Sequence, residues 1–477
     1  MKTAAPNIVL ILADDMGYGD VGCYNSASKI PTVHLDRLAS EGTRFTDAHA
    51  PSAVCTPTRY SILTGRYCWR SRLTRGVLWG YSEHLLEEGR ITLGALLQGR
   101  GYDTCCIGKW HLGWDWPKRA GASDTDGADP ASGVDFGQPI RHGPRAAGFD
   151  RFYGIPASLD MPPYCYVDGD RPTAAVDHEI AENQGDAFWR RGLIADNFRH
   201  AEVLDHLAER AIAYIREQRA NSGRPFFLYF ALTAPHAPIL PGPRFRGCGG
   251  AGDYGDFCVQ VDAVVGAIME ALERAQVADN TLLMFTSDNG PEVFAYDRAR
   301  AYGHYSMDGL RGVKRDLWEG GQRVPLLVRW PGHGRAGQTC DTTVCLVDLL
   351  ATVADILEVP LPGDAGEDSL SFLPCLDGRV RDESRRQAVV YHAYNGDLAI
   401  RRGDWVFIDA ASGGGNPEPE WFRRDRGYVA HGLPGELYHL AGDRAERNNL
   451  YGECPDVVSD LRALLQRYRR EGRSVRP

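Results

Sequence analysis

Short apolar runs alternate with stretches whose apolar positions recur every three or four residues, and this rhythm holds through most of the chain. The runs at 7–13, 102–107, 225–232, 281–287 and 324–329 are too short for helices and predict buried strands. The periodic stretches at 33–40, 92–98, 202–219, 254–276 and 346–357 predict amphipathic helices. Strands that are apolar on both faces and alternate with helices predict an α/β fold, a large and mostly parallel central sheet flanked by helices on both faces. After about residue 376 the texture changes. Short alternating segments at 388–394, 398–401, 405–408 and 436–440 predict an antiparallel sheet. A closing helix follows over 455–470, apolar at Val457, Leu461, Leu464, Leu465 and Tyr468. The expected organisation is therefore a catalytic α/β domain over 1–375 and a smaller C-terminal α+β subdomain over 376–477.

In such sheets ligands gather beyond the carboxyl ends of the strands, so the residues that follow each run carry the functional information. Asp14 and Asp15 follow the first run, and Lys109, Trp110 and His111 the second. His236 follows the third, and Asp288 and Asn289 the fourth. Carboxylates, an amide, a lysine and two histidines are thus delivered to one rim. Asp14, Asp15, Asp288 and Asn289 offer hard oxygen donors and no soft ones, which suits Ca²⁺ or Mg²⁺ rather than zinc. His111 and His236 are candidates for proton transfer, because an unperturbed imidazole titrates near neutrality.

Composition narrows the classes. The chain has 477 residues and a formal charge of −10, so electrostatics favour neither nucleic acid nor an anionic membrane as partner. No segment reaches the roughly 18 apolar residues of a membrane span. The apolar run at 8–13 is too short for a signal-peptide core. The expected location is the cytoplasm as the sequence stands, or outside it with a leader removed. Twelve cysteines with no CxxC pair do not make a disulfide scaffold. Lysine occurs only at positions 2, 29, 109, 118 and 314, which singles out Lys109 and Lys314.

One cysteine stands in a distinctive setting. Cys55-Thr56-Pro57-Thr58-Arg59 precedes Leu63-Thr64-Gly65-Arg66, where Pro57 suits a first helical turn and Gly65 a C-cap. This block resembles the signature of the formylglycine-dependent sulfatases of the alkaline phosphatase superfamily. So do the opening segment Asn7 to Asp15, the segment Gly108-Lys109-Trp110-His111-Leu112-Gly113, the blocks Leu310-Arg311-Gly312-Val313-Lys314 and Trp318-Glu319-Gly320-Gly321, and the tail from Glu436 to Leu450.

The resemblance implies a sulfuric ester hydrolase in which Cys55 is oxidised by a formylglycine-generating enzyme to an aldehyde whose hydrate is the nucleophile. It implies Ca²⁺ held by Asp14, Asp15, Asp288, Asn289 and the side chain at position 55. It assigns Arg59 to holding the hydrate, and Lys109 and Lys314 to the sulfuryl charge. It assigns His236, with Lys314, to protonating the leaving alcohol, and His111 to deprotonating the remaining hydroxyl. A carbohydrate sulfate is the expected substrate, with aryl sulfates as surrogates. The rivals are a phosphonate monoester or phosphodiester hydrolase of the same superfamily, and a sulfated-glycan binding protein whose Cys55 stays a thiol. His304, in a Tyr-Gly-His-Tyr segment, is expected either to touch substrate or to lie in a surface loop. The cluster Trp110, Trp114 and Trp116 could stack on a sugar, and packing is the favoured reading. The Gly-rich stretches at 120–148 and 247–255 are expected to be surface loops or lids.

Overall fold

The computed structural model describes residues 5–119, 131, 133–220, 223–379, 381–382 and 384–476. Asn7–Asp14, buried at every position, is the axis of a ten-stranded sheet. Phe226–Pro235 and Thr281–Ser287 flank it, both parallel to it. Beyond Phe226–Pro235 the sheet continues in parallel through Asp103–Lys109 and Arg151–Ile155. On the other side Leu326–Arg329 joins antiparallel, followed by Thr43–Phe45 and Gln338–Cys340. The run at 324–329 is therefore a strand, as its apolarity predicts, but a reversed one. Its partner direction is set by the chain around it and not by its composition.

The helices Val33–Glu41, Leu93–Gln98, Val203–Ala220 and Gly252–Arg274 fall within a few residues of their predicted spans. The stretch at 346–357 divides into a 3₁₀ turn, Leu346–Asp348, and a helix, Leu349–Ile356. The predicted loop at 247–255 gives way to helix from Gly252, and positions 120–130 and 132 of the one at 120–148 lie outside the described residues.

A separate four-stranded antiparallel sheet is formed by Val389–His392, Leu398–Arg402, Trp405–Ile408 and Glu436–His439. Helix Pro455–Glu471 covers it with Val458, Leu461, Leu464, Leu465 and Tyr468, so Val458 takes the buried place expected of Val457. Its apolar core also takes in Tyr67, Leu317 and Trp318. Arg401 from this sheet reaches Asp47 at 2.7 Å and lies 3.5 Å from Glu319, both fixed by Arg323 as well. Buried carboxylates matched by two guanidinium groups thus tie the small sheet to the large one.

Candidate active site

Strand register brings the site together. Ala13 pairs with Ser287 and Asp14 with Pro235, while Gly108 pairs with Ala231, so Asp14, Lys109, His236 and Asp288 emerge at one edge. The turns are locked locally: the amide of Asp288 donates to the Ala13 carbonyl at 3.1 Å, and that of Met16 to Ser287 Oγ at 2.9 Å. Asp15 adopts φ 65°, a left-handed conformation that turns the chain sharply beyond the strand.

Two further segments complete the ring. Helix Cys55–Thr64 is buried at all ten positions and starts at Cys55 itself. It ends at Gly65, whose φ of 64° closes an αL cap. Pro57 is accommodated in its first turn, as its place in the sequence predicts, where its missing N–H costs nothing. The loop carrying Lys314 is pinned on either side, by Lys314 N to Pro291 O and Arg315 N to Ala53 O, each at 2.8 Å.

Asp14, Asp15, Asp288 and Asn289 are all buried. Lys109 Nζ donates to Asp14 Oδ2 at 2.7 Å, and Lys314 Nζ to Asp15 Oδ2 at 2.6 Å. Arg59 gives Asp288 Oδ2 two bonds, from Nε at 3.0 Å and Nη2 at 2.7 Å. Asn289 Nδ2 donates to Asp15 Oδ1 at 2.7 Å. Burial alone would raise the Asp14 carboxyl, but Lys109, His236, Arg59 and Lys314 outweigh it and hold it well below the usual carboxylate range. Asp288 goes the other way. Burial, with Asp14 and Asp15 nearby, pushes it to about 6 despite Arg59. Two oxygens of this cluster, Asp14 Oδ1 and Asn289 Oδ1, are buried without a hydrogen-bond partner. An orphaned buried acceptor costs about 1–3 kcal/mol. Converging hard oxygens with two acceptors unspent fit a bound divalent cation.

The histidines differ in state. His111 is fully buried; its Nε2 donates to the Leu78 carbonyl at 2.7 Å and its Nδ1 has no partner. Burial first, then Lys109 and Arg59, hold its pKa well below the ordinary value, leaving a neutral imidazole with a free lone pair. His236 Nδ1 donates to the Ala237 carbonyl at 2.6 Å, and its Nε2 lies 3.6 Å from Asp15 Oδ2. Burial raises the Cys55 thiol, although Lys109 and Lys314 pull against it.

A cavity of about 560 Å³ opens onto this cluster, and Cys55, Asp15, His236 and Lys314 line it. His304 does not. It is fully buried, with Nε2 2.7 Å from Asp20 Oδ1 and Nδ1 accepting from the Lys29 amide at 3.2 Å, so both ring nitrogens are spent holding the 18–30 segment. That corrects the expectation of a substrate contact or a surface loop. Trp110, Trp114 and Trp116 are buried and pack the interior. The aromatics that line the cavity are instead Trp79, Phe188, Phe294 and Tyr394. Sequence reading also missed Ser158, which accepts from Lys109 Nζ at 3.2 Å and sits 3.4 Å from the His236 ring. It missed Asp160, Arg190, Glu292 and Arg315 in the cavity wall as well. Ser158, Asp160, Arg190 and Glu292 come from loops with no motif spacing, and Arg315 lies one residue beyond the Leu310–Lys314 block.

A sequence model of the sulfatase family matches residues 6–359. An N-acetylgalactosamine-6-O-sulfatase of Bacteroides thetaiotaomicron is 34% identical over 97% of this chain and 92% of its own. Human arylsulfatase A is 34% identical over 96% and 87%. A solved structure from work on glycosaminoglycan metabolism by Bacteroides thetaiotaomicron superimposes with a TM-score of 0.81 at 32% identity, over 97% of this chain and 99% of that one.

Proposed function

Because the chain belongs to the sulfatase family and is a sulfuric ester hydrolase, we propose that the cavity beside Cys55 cleaves sulfate monoesters of carbohydrates. The observation that carries this reading is the placement of Cys55. It begins a buried helix, at the end where backbone amides favour an anion, and it lines the cavity with Lys314 and His236. The relatives named for N-acetylgalactosamine and aryl sulfates support a sugar ester as substrate and an aryl ester as surrogate. We retain 376–477 as a subdomain that backs the site without entering its ring of charges.

Asp14, Asp15, Asp288, Asn289 and the side chain at position 55 would hold the cation, which we take to be Ca²⁺, with Mg²⁺ admitted by the same donors. When bound there, such an ion would supply Lewis-acid polarisation of a sulfuryl oxygen. Formylglycine at position 55, as its hydrate, supplies an oxygen nucleophile with a second hydroxyl for release of sulfate. Cys55 is only 3% exposed in the fold, so a formylglycine-generating enzyme would act before this helix is packed away.

The remaining work falls to groups of the chain. Arg59, fixed on Asp288, holds the nucleophile's surroundings rigid. Lys109 and Lys314 stabilise charge that builds on the sulfuryl oxygens, in a dry site where such interactions are strong. His236 at the cavity wall holds a proton for the leaving alcohol. His111, neutral with Nδ1 free, takes a proton within the buried ring. Sulfate release from a panel of sulfated mono- and disaccharides, run beside a phosphonate ester at equal concentration, tests the reading. At least one sugar sulfate should have the higher kcat/KM. A phosphonate preference across the panel would overturn it.

A further inference from the structure

At the outer face of the buried tryptophan cluster, three side chains from three separate segments meet. His84 Nδ1 lies 2.9 Å from Asp115 Oδ1, and His142 Nδ1 lies 2.5 Å from Asp115 Oδ2. The two imidazole rings stand 4.4 Å apart, and one nitrogen from each and the carboxylate oxygen all lie within 4.8 Å of one another. Backbone pairing on both sides sets this up. Leu85 N bonds Leu112 O and Trp114 N bonds Ser82 O, which places His84 beside Asp115. Asp115 and Arg141 exchange two bonds, at 2.8 and 3.1 Å, which delivers His142 from the other side. His142 holds φ 54°, a conformation that costs a non-glycine residue energy.

Among the described residues, the Asp115 carboxylate has no lysine or arginine partner. Arg72 is close, but its guanidinium donates to the backbone carbonyls of Glu83 and His84. Hydrogen bonds from His84 and His142 hold Asp115 below the usual carboxylate range against its partial burial. Two imidazoles and one carboxylate are a donor set for a borderline divalent ion, unlike the all-oxygen set at Asp14 and Asp15. Ligand atoms around a tetrahedral zinc sit about 3.3 Å apart, so the present separations, all within 4.8 Å, need change by no more than about 1.5 Å. His84 is 35% exposed and His142 55%, which leaves room for water to complete the coordination.

We propose that His84, Asp115 and His142 form a zinc site that clips the 82–85 segment to the 141–142 segment. Binding uses the Nδ1 lone pairs, so each Nδ1 proton moves to Nε2, or leaves if the ring was charged. The clip sits beside a second cavity, lined by Ser82, Val134 and Phe136, which shares Trp79 and Arg190 with the catalytic one. Its role is therefore to fix the outer wall of the substrate cleft, apart from the chemistry at Cys55.

Equilibrium dialysis of the full chain against Zn²⁺, with Ca²⁺ in excess to hold the oxygen site, tests this directly. The wild type should retain one more equivalent of zinc than His142→Gly. Glycine is at ease at φ 54°, so misfolding cannot explain that loss. His84→Ala should lose the same equivalent. Co²⁺ substitution should give visible d–d bands of a nitrogen-ligated ion in wild type and not in either variant. Equal zinc retention by wild type and both variants, or no zinc on the wild type, would overturn the proposal. Neither outcome bears on sulfate hydrolysis, which is measured separately.

Discussion

His236 and His111 share a chemistry and differ in setting, and that difference is what mutation should read. His236 lines the cavity and would serve the leaving group. His236→Ala should therefore cost esters of poorly acidic alcohols about 10²-fold or more in kcat/KM and activated aryl esters far less. Equal losses on both would mean that it only binds substrate. Lys109, bonded to Asp14, would act on the sulfuryl group that both esters share, and Lys109→Ala should hurt them alike. Asp288→Ala should remove the cation and the activity together while the circular dichroism spectrum is unchanged; a variant that keeps one equivalent of Ca²⁺ would contradict the ligand set. These residues were legible because each follows an apolar run or sits in the Cys55 block. Ser158 and Asp160 were not, since a Ser-Leu-Asp triplet carries no spacing that separates a site from a loop. His304 was misjudged for a related reason: neighbouring Gly and Tyr mark a turn, but they do not say whether the ring faces in or out.

The elements place those side chains, and their tightest contact is testable. Gly108 has φ 112°, and a Cβ there would lie 1.8 Å from the Ala231 carbonyl oxygen of the paired strand. Gly154 stands across on the other side, where a Cβ would meet the Gly108 carbonyl at 1.9 Å. Gly108→Ala combines a disfavoured backbone with a clash against a strand that cannot yield, so it should cost about 4 kcal/mol and displace Lys109. The loss should appear in the urea midpoint as well as in activity, and an unchanged midpoint would show that the strands have slack. Strand existence and the helix spans were readable from periodicity because burial on both faces leaves an unbroken apolar run. Strand direction at Leu326–Arg329 was not, because side-chain pattern is the same for either orientation. The strands Thr43–Phe45 and Gln338–Cys340 at one end of the sheet went unseen, being three residues each, and so did Arg151–Ile155, which lies outside the apolar runs.

Across the whole molecule, buried neutral imidazoles set the response to acid. His200 is stacked on Trp189 and edge-on to Tyr164, its Nε2 has no partner, and burial lowers its pKa to about 4. The unfolded chain takes up that proton near pH 6.5 and the folded chain does not, so stability is intact above 6.5 and falls as the pH drops toward 4. The loss from this one group is about 3 kcal/mol by pH 4. His200→Phe keeps the stacking and should flatten the decline in urea midpoint between pH 7 and 5; an identical slope would place the acid sensitivity elsewhere. The central claim concerns position 55. A thiol or a serine hydroxyl that attacks sulfur is left with an ester and no second hydroxyl to expel it, whereas a hydrated aldehyde has one. The most direct measurement is intact mass and sulfate release on Cys55→Ser, made where serine is not modified, beside wild type. The account predicts that the variant gains at most one sulfuryl group, about 80 Da, and then stalls. Wild type should turn over repeatedly and take up a carbonyl-trapping hydrazide at position 55. Sustained turnover by Cys55→Ser with no aldehyde present would contradict it.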